Sequence, residues 1–115
     1  MSSTKKYKIE VRLWIEETEG PFLGIGKIWL LENIQKTGSI TNAAKEMKMA
    51  YRQAWQLVQE MNQRAETPLV EKSLGGKGGG GARLTEAGER AIIVFYEIEK
   101  RIKDFTLQEF ENIKF

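Results

Sequence analysis

Residues 38–64, GSITNAAKEMKMAYRQAWQLVQEMNQR, decide how the whole chain is read. Two short helical patterns lie here, one opening at Ser39 and one near Ala50, with a turn of three or four residues between them. That arrangement is a helix-turn-helix, about residues 39–64. In the first helix Ile40, Ala43, Ala44 and Met47 share a face by three-and-four spacing, and the small Ala43 and Ala44 let a second helix cross closely. In the second, the same spacing turns Ala54, Trp55, Val58, Met61 and Asn62 inward. The outward face is then Arg52, Gln53, Gln56, Gln59 and Gln63, long side chains that donate and accept hydrogen bonds. Arg pairs in a two-pronged way with guanine, and Gln with adenine, on their major-groove edges, so this face suits reading duplex DNA. The same residues are also good solvated helix formers, and the helix alone does not choose between the two readings.

Working outward, residues 24–37 carry Ile25, Ile28, Trp29, Leu30, Leu31 and Ile34, a broad apolar helix ending at Gly38, which suits a left-handed position. Ser39 then caps the next helix through its hydroxyl oxygen. Residues 7–16, YKIEVRLWIE, alternate apolar and polar and predict a half-buried N-terminal strand, followed by an acidic loop and a turn at Gly20 and Pro21. Beyond the helix-turn-helix, Pro68 stops helical structure, LVEKSL reads as a strand, and Ala82 to Leu84 can return beside it. Between them a glycine run broken only by Lys77 completes a wing over about residues 70–85, with Lys77 and Arg83 beside bare backbone amides that can approach phosphates. A plain hairpin loop is the alternative. The glycines also fit a dinucleotide fingerprint by chance, but no strand-turn-helix context surrounds them.

Thr85 caps a last long helix, about residues 86–105, with Glu86 and Glu89 in its first turn. Its apolar residues exceed one stripe, so Ile92, Phe95, Ile98, Ile102 and Phe105 are expected in contact with a second subunit. Cover by the N-terminal strand and the tail is the other possibility. The tail keeps Leu107, Phe110 and Ile113 three apart, as a short further helix would.

Length and composition set outer limits. The 115 residues are expected to form a single domain, mainly α with a small β component. The net charge is only +2, yet between Gly38 and Leu84 seven basic residues outnumber four acidic ones, so the positive excess sits in this segment. There is no Cys and no His, which removes disulfides, thiolate metal sites and most nucleophilic and general-base chemistry. No cofactor is expected, and the chain is not expected to be an enzyme. No leader sequence and no run of about 18 apolar residues is present, so the expected location is cytoplasmic, without membrane association.

The words TGSITNAAKEMKMAYRQAWQLVQEMN, PLVEK and GGKGGGGARLTEAG, standing in this order, resemble the N-terminal DNA-binding domain of ModE-type molybdate-responsive regulators, related to that of LysR-type regulators. The resemblance covers roughly residues 22–102. It implies a winged helix that binds double-stranded DNA as a homodimer, chiefly through its long helix, and regulates transcription. The DNA-contacting residues are then expected to be Ser39, Thr41, Tyr51, Arg52, Gln53, Gln56, Gln59, Lys77 and Arg83. Two departures stand out. Ala50 replaces the Ser that commonly opens the recognition helix, and the chain ends at Phe115 before any oxyanion-binding domain, so no molybdate binding is expected from it. The competing reading is a protein-interaction module that keeps the winged-helix fold without binding DNA.

Overall fold

A computed structural model describes residues 5–74, 81–111 and 113–115. Lys77 and its neighbouring glycines at 75–80 lie outside them. The elements run β1 (Trp14–Glu17), β2 (Gly20–Gly24), α1 (Ile25–Thr37), α2 (Ile40–Glu46), α3 (Tyr51–Arg64), β3 (Val70–Ser73), β4 (Gly81–Leu84) and α4 (Glu86–Phe110). This is a winged helix-turn-helix with a long C-terminal helix.

The core forms where the helical stripes meet. Ile28, Leu30, Leu31 and Ile34 of α1, Ala43 and Ala44 of α2, and Ala54, Val58 and Met61 of α3 are all buried, and Leu69, Val70, Ala82 and Leu84 close it from the wing. Gly38 ends α1 at φ 73°, its N–H donating to the Ile34 carbonyl. That left-handed residue does a second task, because its own carbonyl accepts from Ala82 N at 2.9 Å and so holds β4 against the helix-turn-helix. Thr85 caps α4 by accepting from Gly88 N, while its hydroxyl donates to the Pro68 carbonyl at 2.6 Å. At Gly88 a Cβ would collide with the Leu69 carbonyl oxygen, so glycine lets α4 start hard against the wing.

Three expectations change. Only Trp14–Glu17 of the alternating N-terminal stretch is a strand; Tyr7, Ile9 and Val11 are exposed and carry no ladder. A strand needs a partner, and β2 is five residues long. β2 itself falls where the acidic loop and turn were expected: GPFLG pairs antiparallel with β1, with an irregularity between Ile15 and Glu16 beside Pro21. Finally, α4 continues through the tail to Phe110, five residues past its expected end and without a separate short helix before that point.

The long helix also corrects part of the expected subunit contact. Phe95 is fully buried in the core and so is not available to a partner, while Ile92 packs against the same core and is only partly buried. Ile98, Ile102 and Phe105 follow on the same stripe beyond the core's end, with Phe105 61% exposed. At about 1.5 Å per residue α4 spans about 37 Å, and the molecule measures 67 × 29 × 21 Å. Among the described residues no helix is long and apolar enough to cross a membrane.

Candidate nucleic-acid interface

The turn between α2 and α3 is closed by backbone alone. Lys48 N donates to the Lys45 carbonyl and Met49 N to the Ala44 carbonyl, the paired bonds of a Schellman motif, with Lys48 itself at φ 53°. A non-glycine residue there is strained, since its Cβ crowds the backbone. Ala50 opens α3 with no side-chain cap, as its methyl predicts. Ser39 caps α2 by accepting from Asn42 N at 3.1 Å, leaving its hydroxyl proton free to donate outward. Thr41, the second residue of the same helix, is exposed.

On α3 the residues expected to face out do so. Arg52, Gln53, Gln56, Gln59 and Gln63 are exposed, and none forms a hydrogen bond or ion pair with another described residue. Tyr51 is exposed with them. Trp55 is the correction: expected inward, it is 45% exposed. By helical angle it lies between the buried Val58 and the outward Gln59, and the small Ala54 takes the core position beside it. The only sequence signal for this was that an indole is too large for a stripe otherwise met by two adjacent alanines on α2.

Asn62 fixes the wing to this helix. Its amide nitrogen donates to the Val70 carbonyl at 2.9 Å, and its oxygen accepts from Leu69 N at 2.9 Å and Val70 N at 3.1 Å. Three otherwise orphaned backbone groups are thereby satisfied at the entry to β3. β3 and β4 pair in register Val70 with Leu84 through Ser73 with Gly81. Arg83 stands exposed on β4, but its Nε donates to Glu71 Oε1 at 2.8 Å, so the wing cation already has a carboxylate. An exposed pair of this kind is worth at most about 1 kcal/mol and yields readily to a phosphate. Lys72, which the sequence reading did not single out as a contact, is exposed on β3. Between α3 and the wing lies an open cleft of about 480 Å³, bordered by Ser39, Thr41, Tyr51, Trp55, Gln59 and Lys72. Of the eight described residues of the expected interface, Ser39, Thr41, Tyr51 and Gln59 border this cleft, whereas Arg52, Gln53 and Gln56 on α3 and Arg83 on β4 do not.

The far end of α3 is held by the N-terminal hairpin. Arg64 Nη1 donates to the Pro21 carbonyl at 2.7 Å, and its guanidinium covers Gly20. Lys27 Nζ donates to the same carbonyl at 3.3 Å and stands 3.8 Å from Glu60. Burial pushes the Lys27 ammonium below its ordinary range, and the Glu60 carboxylate partly offsets this. These contacts orient the helix and leave its leading half bare.

A family described as bacterial regulatory helix-turn-helix protein, lysR family, matches residues 26–89. Among curated relatives, the transcriptional regulator ModE of Yersinia pestis is 43% identical over 86 residues, 75% of this chain and 33% of that protein. The DNA-binding transcriptional dual regulator ModE of Escherichia coli K12 is 40% identical over 94 residues, covering 82% and 36%. The molybdenum-pterin-binding protein MopB of Rhodobacter capsulatus is 45% identical over 83 residues, covering 72% and 31%. The chain therefore spans about a third of the length of these relatives. A solved LysR family transcriptional regulator superposes with a TM-score of 0.53 at 16% identity, over 76% of this chain and 28% of that one, a likeness of fold. The matched segment runs from α1 through the helix-turn-helix and wing into the first turn of α4, and it bears out the resemblance read from the sequence: the chain belongs to the LysR family of bacterial regulatory helix-turn-helix proteins.

Proposed function

We propose that this chain is the sequence-specific, duplex-DNA-binding part of a ModE-like transcriptional regulator and that it acts as a homodimer. α3 enters the major groove with Arg52, Gln53, Gln56 and Gln59 toward base edges, while Ser39, Thr41, Tyr51, Lys72 and Arg83 meet the backbone along its borders. The observation that carries this is the outward face of α3. Five long polar side chains are exposed there without an internal partner among the described residues, while the core stripe of the helix is buried and its Arg64 end is held by the N-terminal hairpin. The helix backbone is already ordered, so binding has to order only these side chains, and their donors and acceptors match the base edges of the major groove.

The homodimer reading rests on α4. Ile98, Ile102 and Phe105 continue the buried stripe past the end of the core, and an isologous pairing covers the excess on both subunits. Molybdenum belongs to the names of some relatives, each more than twice as long as this chain, and is left with them. The family is one of regulators, not of enzymes.

Selection of bound duplexes from a random pool, followed by salt titration on the best one, tests the reading. Enrichment of a roughly palindromic site, with affinity falling as salt rises by a slope of about −0.9 per phosphate contacted, is the expected result. No enrichment together with salt-independent behaviour would instead make the chain a protein-interaction module on a winged-helix frame.

A further inference from the structure

Two aromatic side chains on the wing-side flank of α3 have no task in polar base reading. Tyr51 and Trp55 are one helical turn apart, 52% and 45% exposed, and both border the cleft that Gln59 and Lys72 also line. Among the described residues neither ring packs on another ring. An indole offers one donor and two broad apolar faces, so its exposure in water is unfavourable unless a partner covers it. Arg and Gln match the polar edges of guanine and adenine, whereas the apolar feature of the major groove is the 5-methyl group of thymine. Resting on the docking given under the proposed function, we propose that Trp55, flanked by Tyr51, reads thymine by packing its ring against that methyl group at the wing-side edge of each half-site. The sugar face of the backbone is the competing surface for such a ring, and it carries no sequence information.

Replacing thymine by uracil removes the methyl group and nothing else. The test takes the best selected duplex, substitutes uracil at each thymine in turn, and measures affinity for the wild-type chain and for Trp55→Ala and Trp55→Phe. At one thymine per half-site the wild type should lose about fourfold, the effect of one buried methyl group. Trp55→Ala should bind the thymine duplex as weakly as the wild type binds the uracil duplex and no longer distinguish them, with binding to random duplex unchanged. Trp55→Phe keeps an apolar ring and should keep the discrimination, and it decides the matter even if the alanine variant does not fold. A wild type indifferent to uracil at every position would overturn the proposal, as would an alanine variant that loses equally on selected and random duplexes. Failure of the wild type to bind any duplex would overturn the DNA reading itself, which separates the two.

Discussion

Lys48 and Arg52 show how differently single residues contribute to this interface. Lys48 occupies a left-handed backbone position that the helix-turn-helix needs, and its Cβ is strained there at φ 53°. Lys48→Gly should raise stability by about 0.5–1 kcal/mol, read as a higher thermal midpoint. A lower midpoint would show that the lysine side chain contributes more than its backbone costs. Arg52 is exposed on the outward face of α3, with no carboxylate paired to it among the described residues. Arg52→Ala should cost about 1–3 kcal/mol on the selected duplex and relax preference at one position. Equal losses on selected and random duplexes would assign it to phosphate instead.

At the scale of elements, two polar contacts decide where the helices and wing stand. The Asn62 clip joins α3 to β3 by three hydrogen bonds to backbone groups of Leu69 and Val70, both buried residues. Asn62→Ala should cost on the order of 3 kcal/mol in denaturant unfolding, because those groups lose their partners. Asn62→Asp keeps the acceptor and should cost less; equal costs would argue that side-chain packing matters there and not the bonds. The second contact ties α4 to α1, where the Tyr96 hydroxyl donates to Glu32 Oε1 at 2.6 Å. That hydrogen bond, then burial and nearby carboxylates, pushes the Tyr96 hydroxyl from 10.0 up to about 12. Folding therefore favours the neutral phenol. The contribution is fully present below about pH 10, the value for an unfolded tyrosine, and is lost as pH rises through about 12. Tyr96→Phe should be less stable than wild type by about 1 kcal/mol at pH 8, with the gap closing by pH 12. A gap independent of pH would remove the hydrogen bond from the account.

For the whole molecule, exposed apolar surface gathers on the outer half of α4 and the segment beside it. Tyr7 packs edge-on to Phe115, ring centroids 5.5 Å apart, and Phe115 meets Phe110 at 6.1 Å, so the segment at Tyr7 lies beside the end of α4. Yet Phe105, Leu107, Ile9 and Val11 stay exposed. Ile98→Glu combined with Ile102→Glu should give monomers in sedimentation that bind a single half-site weakly. Paired through α4, two copies should hold their recognition helices about 34 Å apart, selecting half-sites one helical turn or a multiple apart. A wild-type monomer at high micromolar concentration, or a double variant that stays dimeric, would move the contact, with the apolar edge of Tyr7, Ile9 and Val11 next in line.

Local grammar alone determined a great deal of this protein. Gly38 ends α1, Ser39 and Thr85 cap the helices that follow, and the apolar spacing of residues 54–61 sets which face of α3 is outward; each depends on neighbours within a turn or two, so the sequence carries it openly. Tertiary structure decided whatever depends on a distant partner. GPFLG has no alternation and becomes a strand only because β1 lies beside it, while residues 7–13 alternate well and form none for want of a partner. Trp55 and Phe95 are both large and aromatic on amphipathic helices, yet one is half exposed and the other fully buried. Periodicity fixes the angle at which a side chain leaves its helix, but burial depends on what stands opposite: Phe95 meets the common core of the helices and wing, whereas Trp55 faces the open cleft beside the wing.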